Sequence, residues 1–266
     1  MRGTAHATTS PGSALLASGP LPAILLTIAV VIVWEVLIRA LDVSSYILPA
    51  PTAILGALVA NAGQLAAATL VTAEEILIGF VVSAVVGIAL ALVIARFRLL
   101  GRALYPLIVL FQTVPKVALA PIFILWFGYD LAPKVLLILV IAFFPVTLSM
   151  LAGLNSADAG LIALLRSVGA GETEILRRVR IPTSLPHLMA GLKIALTFSV
   201  IGAIVGEFAG ASAGLGYMIQ FASTQLETDL VFAALTVVSV VGVAFYYVME
   251  FIERRVVPWA AAETGR

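Results

Sequence analysis

The charges in this chain are gathered into short stretches, with long uncharged intervals between them. Ile76 to Ala95, Val135 to Ala157 and Leu230 to Met249 contain no Asp, Glu, Lys or Arg. Leu21 to Leu41 carries only Glu35 and Arg39 near its end, Ala103 to Tyr129 only Lys116, and Pro186 to Gly206 only Lys193. A helix needs about 20 apolar residues to cross the hydrocarbon core of a bilayer, so each of these intervals can span. Composition agrees: 62% of residues are hydrophobic and 11% charged, which places the chain among membrane proteins. The sequence predicts an all-α polytopic membrane protein with six transmembrane helices. Phe208 to Leu226, FAGASAGLGYMIQFASTQL, is apolar but rich in small residues, and suits a re-entrant or short outer segment better than a crossing.

Basic residues fix the expected orientation, because Lys and Arg collect in cytoplasmic loops. With both termini inside, the cytoplasmic set is Arg2, Arg96, Arg98, Arg102, Arg166, Arg177, Arg178, Arg180, Lys193, Arg254, Arg255 and Arg266, which is 12 of the 15. Only Arg39, Lys116 and Lys134 lie elsewhere. The expected organisation is a disordered cytoplasmic tail over 1–20, a membrane body over 21–257 with a large cytoplasmic loop at 158–185, and a second cytoplasmic tail over 258–266. The apolar run starting at Leu21 is long enough to be a retained anchor rather than a cleavable signal.

That loop sits between the fourth and fifth spans and includes LLRSVGAGETEILRRVRIPTSLPHL, Leu164 to Leu188. Asp158 can cap a helix whose apolar residues Leu161, Leu164, Leu165 and Val168 recur at helical spacing. Gly169 and Gly171 break it. A second short helix then places Glu172 and Glu174 at its amino end and Arg177, Arg178 and Arg180 at its carboxyl end, with Glu174 and Arg178 as an i,i+4 pair. Pro182 is expected to end this helix, and Ser184 with Pro186 to begin the fifth span.

The loop resembles that of the inner-membrane permeases of binding-protein-dependent ABC importers, whose motif is EAA, three residues, Gly, nine residues, then I-x-L-P. Gly169 stands at the glycine, and nine residues later comes VRIP, Val179 to Pro182; Ala163, Leu164 and Leu165 replace the EAA triplet. Leu104 to Gly128, LYPLIVLFQTVPKVALAPIFILWFG, and Gly206 to Ile219, GEFAGASAGLGYMI, are similar to segments of the nitrate, sulfonate and taurine branch, which includes carriers of pyrimidine and flavin vitamin precursors. The resemblance covers roughly Leu48 to Pro258. It implies a permease working with a second copy or close relative, an external binding protein that delivers a small polar or anionic solute, and a cytoplasmic ABC ATPase dimer that binds ATP and Mg. It further implies that Arg166, Gly169, Gly171, Glu174, Arg177, Arg178, Val179 and Pro182 belong to a coupling loop docked on that ATPase.

Other chemistry is disfavoured. No G-x-x-x-x-G-K-[ST] occurs, so the chain itself offers no P-loop for a nucleotide and no cofactor is expected on it. Cysteine is absent, no metal spacing occurs, and a net charge of +1 argues against a nucleic-acid surface. Gly210 to Gly214, GASAG, matches a nucleophile-elbow pattern, but the only histidines are His6 and His187, neither placed to serve it. A transporter without a motor would show repeated halves with matching broken helices, and no such repeat is visible.

Glu74 and Glu75 are expected at the outer start of the second span. Glu207 is expected near the outer boundary of the fifth, either ending it in water or lining an outer gate. Lys116 is expected at half depth in the third span beside Gln112, Thr113 and Pro115, where a charge is functional by default. Two readings stand open: this cluster lines the translocation path, or Lys116 pairs with Glu207 of the same or the neighbouring copy.

Overall fold

The computed structural model describes residues 21–259, so residues 1–20 and 260–266 of the two expected tails lie outside the described residues. The helices are α1 (Leu21–Ala40), α2 (Pro51–Ala60), α3 (Ala62–Arg96), α4 (Arg98–Thr113), α5 (Ala120–Phe127), α6 (Leu131–Asn155), α7 (Ala159–Ser167), α8 (Glu172–Ile175), α9 (Ile181–Gly210), α10 (Leu215–Thr224) and α11 (Thr228–Val256). Five uninterrupted helical runs are long and apolar enough to cross a membrane: α1, α3, α6, Glu172–Gly210 and α11. A sixth crossing requires the segment on either side of Pro115 to count as one broken span.

Three sequence expectations are corrected. The third span is not a straight helix: Pro106–Thr113 and Lys116–Phe127 meet at 80°, with a 3-10 turn over Lys116–Leu119. Val114 adopts an extended conformation, as a residue preceding proline tends to, and Pro115 brings no backbone donor to bridge the gap. The second span begins at Ala62, so Glu74 and Glu75 lie well inside α3. Pro182 ends no helix. The chain runs from α8 through a π-turn at Leu176–Arg180 directly into α9, and the wide turn falls just before the proline, where the ordinary i−4 bond is lost.

The bundle is organised around α6, which packs against α9 on one side and α3 on the other. Lipid supplies no hydrophobic drive for such packing, so helices must approach closely enough for dispersion contacts to accumulate. Glycines provide the room. A Cβ at Gly79 or Gly202 would collide with or crowd Ile138, one at Gly87 would strike Val146 and the Phe143 carbonyl, and one at Gly191 would lie 2.6 Å from Ser149 Cβ and 2.9 Å from the Pro145 carbonyl. Ile76, Ile138, Ala142, Met150, Leu154, Ala195 and Ala203 fill this interior. A second apolar cluster of Ile54, Leu65, Leu215, Ile219, Ala233 and Ala234 joins α2, α3, α10 and α11. The tie between α1 and α2 is polar: Glu35 accepts from Arg39 Nε at 2.6 Å and from the Thr52 N–H at 3.1 Å, capping the first turn of α2 from outside.

Gly191→Val should wedge α9 away from α6 at the Pro145 carbonyl, which cannot yield, at a cost of about 1–3 kcal/mol. Gly242, with nothing within 4 Å of a Cβ, provides the matched control. Thermal unfolding in detergent should show a clearly lowered midpoint for Gly191→Val and a nearly unchanged one for Gly242→Val.

Candidate functional site

Two polar regions stand out in this apolar molecule. One is buried between α3, α6, α9 and α10. Glu207, near the carboxyl end of α9, is fully buried at 0% exposure, and Thr72 and Glu75 of α3 are buried at 1% and 2%. Ten-residue α10 begins beside them, and its first N–H groups need acceptors that its own helix cannot give. Glu207 Oε2 accepts from the N–H of Gly216 and, at 3.3 Å, from that of Tyr217. Thr72 Oγ1 accepts the Leu215 N–H at 2.8 Å and donates to Glu207 Oε1 at 2.6 Å. A carboxylate from another helix thus caps α10, favoured by the positive end of the helix dipole.

The glycines of GLG make this possible. Gly214 has φ +112°, and a Cβ there would fall 2.3 Å from the Glu207 carboxyl; one at Gly216 would fall 2.8 Å from Oε2. The small-residue stretch is therefore the cradle of a buried carboxylate. Beside it Lys134 of α6, only 7% exposed, donates to Glu75 Oε1. These charges meet because α3 and α6 pass closely at Gly79 and Ile138, one turn further along.

The second region is the loop between α6 and α9. Asp158 caps α7 by accepting the Leu161 N–H at 2.6 Å. At the far end Ala170 N–H bonds the Leu165 carbonyl at 2.9 Å and Gly169 N–H that of Arg166 at 3.0 Å, with Gly169 at φ +85°: a Schellman stop that needs a residue free to adopt that conformation. Gly171 then stands at the amino end of α8 in an extended conformation. Arg166 reaches across the turn to Glu172 at 2.7 Å, and Arg178 pairs with Glu174 at 3.1 Å, the i,i+4 pair read from the sequence. Ile175 and Val179 are buried against the bundle, whereas Arg177, Arg178 and Pro182 are exposed. Leu161, Leu164 and Val168 form an exposed ridge along α7, at 44%, 61% and 74% exposure.

The remaining expected site residues separate from Glu207. Gln112, Thr113 and Pro115 are exposed at the break in the third span and Lys116 is half-buried there. Thr113 donates its hydroxyl to the Leu110 carbonyl at 2.8 Å. Within this chain Glu207 is committed to Thr72 and α10, so it neither ends its span in water nor pairs with Lys116. Sequence reasoning gave Thr72 and Lys134 no role and took Glu75 for the outer start of its span. The available signal was a lysine and a glutamate each flanking an uncharged interval, masked because α3 extends well before that interval.

These features define an all-helical multi-pass membrane protein with a capped elbow at one loop and a polar core within the bundle. Comparison with known proteins carries this further. Residues 83–258 match the family model described as binding-protein-dependent transport system inner membrane component. The chain is 36% identical over 229 residues to the formylaminopyrimidine transport permease protein ThiX of Halalkalibacterium halodurans, covering 86% of this chain and 91% of that one. It is 32% identical over 231 residues to the riboflavin transport system permease protein RibX of Chloroflexus aurantiacus, covering 86% of each. The taurine transport system permease protein TauC of Escherichia coli is 30% identical, with 88% of each covered. Among solved structures, the inward-facing MetNI methionine ABC transporter aligns with a TM-score of 0.62 at 20% identity, over 73% of this chain and 95% of that one, a likeness of fold. The chain belongs to the binding-protein-dependent transport system inner membrane component family and is an ABC importer permease subunit.

Lys134→Met should leave Glu75 buried without its counter-charge, at a cost of about 3–5 kcal/mol. Adding Glu75→Gln should restore most of the loss, since the orphaned charge is then gone. A double-mutant cycle on thermal unfolding midpoints measures this; equal, additive losses would show that the pair does not act as a unit.

Proposed function

We propose that two copies of this chain, or this chain and a close relative, enclose a path for a small polar or anionic solute delivered from outside by a binding protein. A cytoplasmic ATPase pair, holding ATP and Mg, drives the cycle through the loop between α6 and α9. The observation that carries this reading is the construction of that loop. α7 is fixed at one end by Asp158 and at the other by the Gly169 stop, yet turns Leu161, Leu164 and Val168 outward. An apolar ridge on a rigid short helix outside the membrane is unstable economy unless something covers it. α8 continues without a break into α9, so a push on the ridge reaches the bundle through the elbow rather than dissipating in a flexible linker.

Both termini and this loop are cytoplasmic in the proposal, following the bias of 12 in 15 basic residues. The relatives named for a formylaminopyrimidine, riboflavin and taurine support a small polar or anionic cargo. Gln112, Thr113, Pro115 and Lys116 line the path at the break, where backbone freed from the helix can face a polar space. Glu207 instead acts as a fastener for α10 behind that path.

Because the chain has no cysteine, single cysteines can be labelled without background. Ala132→Cys should react with an impermeant thiol reagent in intact cells and Ala170→Cys should not; reaction at position 170 would reverse the orientation. Gly169→Val forces a β-branched residue into positive φ, and Leu164→Glu places a charge on the ridge. Each should leave insertion intact and reduce pull-down of the ATPase and uptake by roughly tenfold or more, the scale of a lost interface anchor. Normal uptake in both variants would leave the loop as a topological anchor only. For the path, Lys116→Met should assemble normally and slow uptake by about tenfold, as expected when a charge-assisted contact to solute is lost; unchanged uptake would remove Lys116 from the path.

A further inference from the structure

A basic cavity beside the elbow is unused by anything described above. It encloses about 420 Å³ and is lined by Ala95 and Arg96 at the end of α3, Arg166 at the end of α7, and Glu172, Leu176 and Arg180. Among the described residues, three guanidiniums and one carboxylate line it. Arg166 spends its charge on Glu172, with Nε at 3.1 Å and Nη2 at 2.7 Å from one carboxylate oxygen. Arg96 lies over the ring of Phe97, 5.5 Å from its centroid. Arg180 Nε is buried, and no acceptor among the described residues meets it. A desolvated guanidinium donor without an acceptor is costly, so the cavity is incomplete as the chain alone builds it.

Position narrows what completes it. Ala95 and Arg96 close a membrane-spanning helix, and Arg180 lies just before the helix that re-enters the membrane. The cavity therefore lies beside the ends of two helices long and apolar enough to span, where such helices meet the headgroup region of a bilayer. Phe97 and Leu99, which follow Arg96 in the chain, are exposed at 55% and 84%. Basic pockets between transmembrane helices at this depth suit anionic headgroups, and guanidinium forks match the geometry of phosphate oxygens.

We propose that this cavity binds the phosphate of an anionic phospholipid headgroup, with Arg96 and Arg180 as donors and the Arg166–Glu172 pair as its wall. The orientation proposed above would place that lipid in the inner leaflet; binding itself does not depend on it. The occupied cavity joins the end of α3 to the elbow, so lipid composition would set how firmly the elbow is held.

The test uses the full-length permease purified in detergent without the ATPase. Phosphatidylglycerol should raise the thermal unfolding midpoint and remain bound in native mass spectrometry, whereas phosphatidylcholine should do neither. Arg96→Gln and Arg180→Gln should each weaken phosphatidylglycerol retention by roughly tenfold, the size expected for one charge-assisted hydrogen bond. Arg254→Gln, on the far end of α11, should leave it unchanged. Arg96 is exposed at a helix end, so its variant is expected to fold even if Arg180→Gln does not. Equal retention in wild type and Arg96→Gln would overturn the proposal. So would stabilisation by inorganic phosphate as strong as that by the lipid, which would assign the site to a free anion. In a separate pull-down with the ATPase added in lipid-free detergent, loss of association by Arg96→Gln, with lipid retention intact, would overturn the proposal and assign the cavity to a protein carboxylate.

Discussion

Close approach of α6 to α3 and α9 is the constraint from which the rest of the bundle follows. In water, burial of apolar surface would draw these helices together whatever their surfaces looked like. In lipid that drive is absent, and adhesion depends on how many atoms touch. Gly79 and Gly87 on α3, Gly191 and Gly202 on α9, and Gly153 on α6 remove the side chains that would hold the axes apart. The same proximity lets Lys134 reach Glu75 across the α3–α6 contact. It also brings Thr72 within reach of Glu207, which approaches from α9.

Buried charge in this protein is consequently structural in character. Glu207 binds the start of α10 and Glu75 and Lys134 neutralise one another, while the half-buried pair Lys193–Glu253 joins α9 and α11. Each joins helices that are distant in sequence. Such pairs add little net stability over an apolar packing, but they penalise every wrong arrangement, because a misplaced helix would leave a charge alone in a low dielectric. Lys116 differs, being half-buried with no ion pair to a carboxylate among the described residues.

The parts legible in the sequence are those set by local chemistry. Uncharged intervals give most spans, Asp158 gives a cap, Gly169 gives a stop and Glu174 with Arg178 gives a pair at i,i+4, because each depends on residues within a few positions. What was not legible depends on partners far along the chain. Thr72 and Glu207 are 135 residues apart, and Glu75 and Lys134 59 apart. Neither glutamate differs locally from one that ends a helix in water. Pro182 misleads for a related reason: proline argues for a helix boundary, but a π-turn placed just before it lets the helix continue. At Pro115 the same residue type does interrupt the span, and nothing nearby in sequence separates the two cases.

The continuous run Glu172–Gly210 is 39 residues, about 58 Å at 1.5 Å per residue. One end carries the Arg166–Glu172 tie at the elbow, and the other carries the carboxylate that caps α10. A rod of this kind is a lever arm with a fixed load at its tip. If it pivots as a rigid body by about 5° near the elbow, Glu207 travels roughly 4–5 Å, farther than any hydrogen bond can stretch. Either α10 swings with the tip as cargo or its cap is torn open. A pivot of that size cannot be absorbed at the tip without one of these two changes.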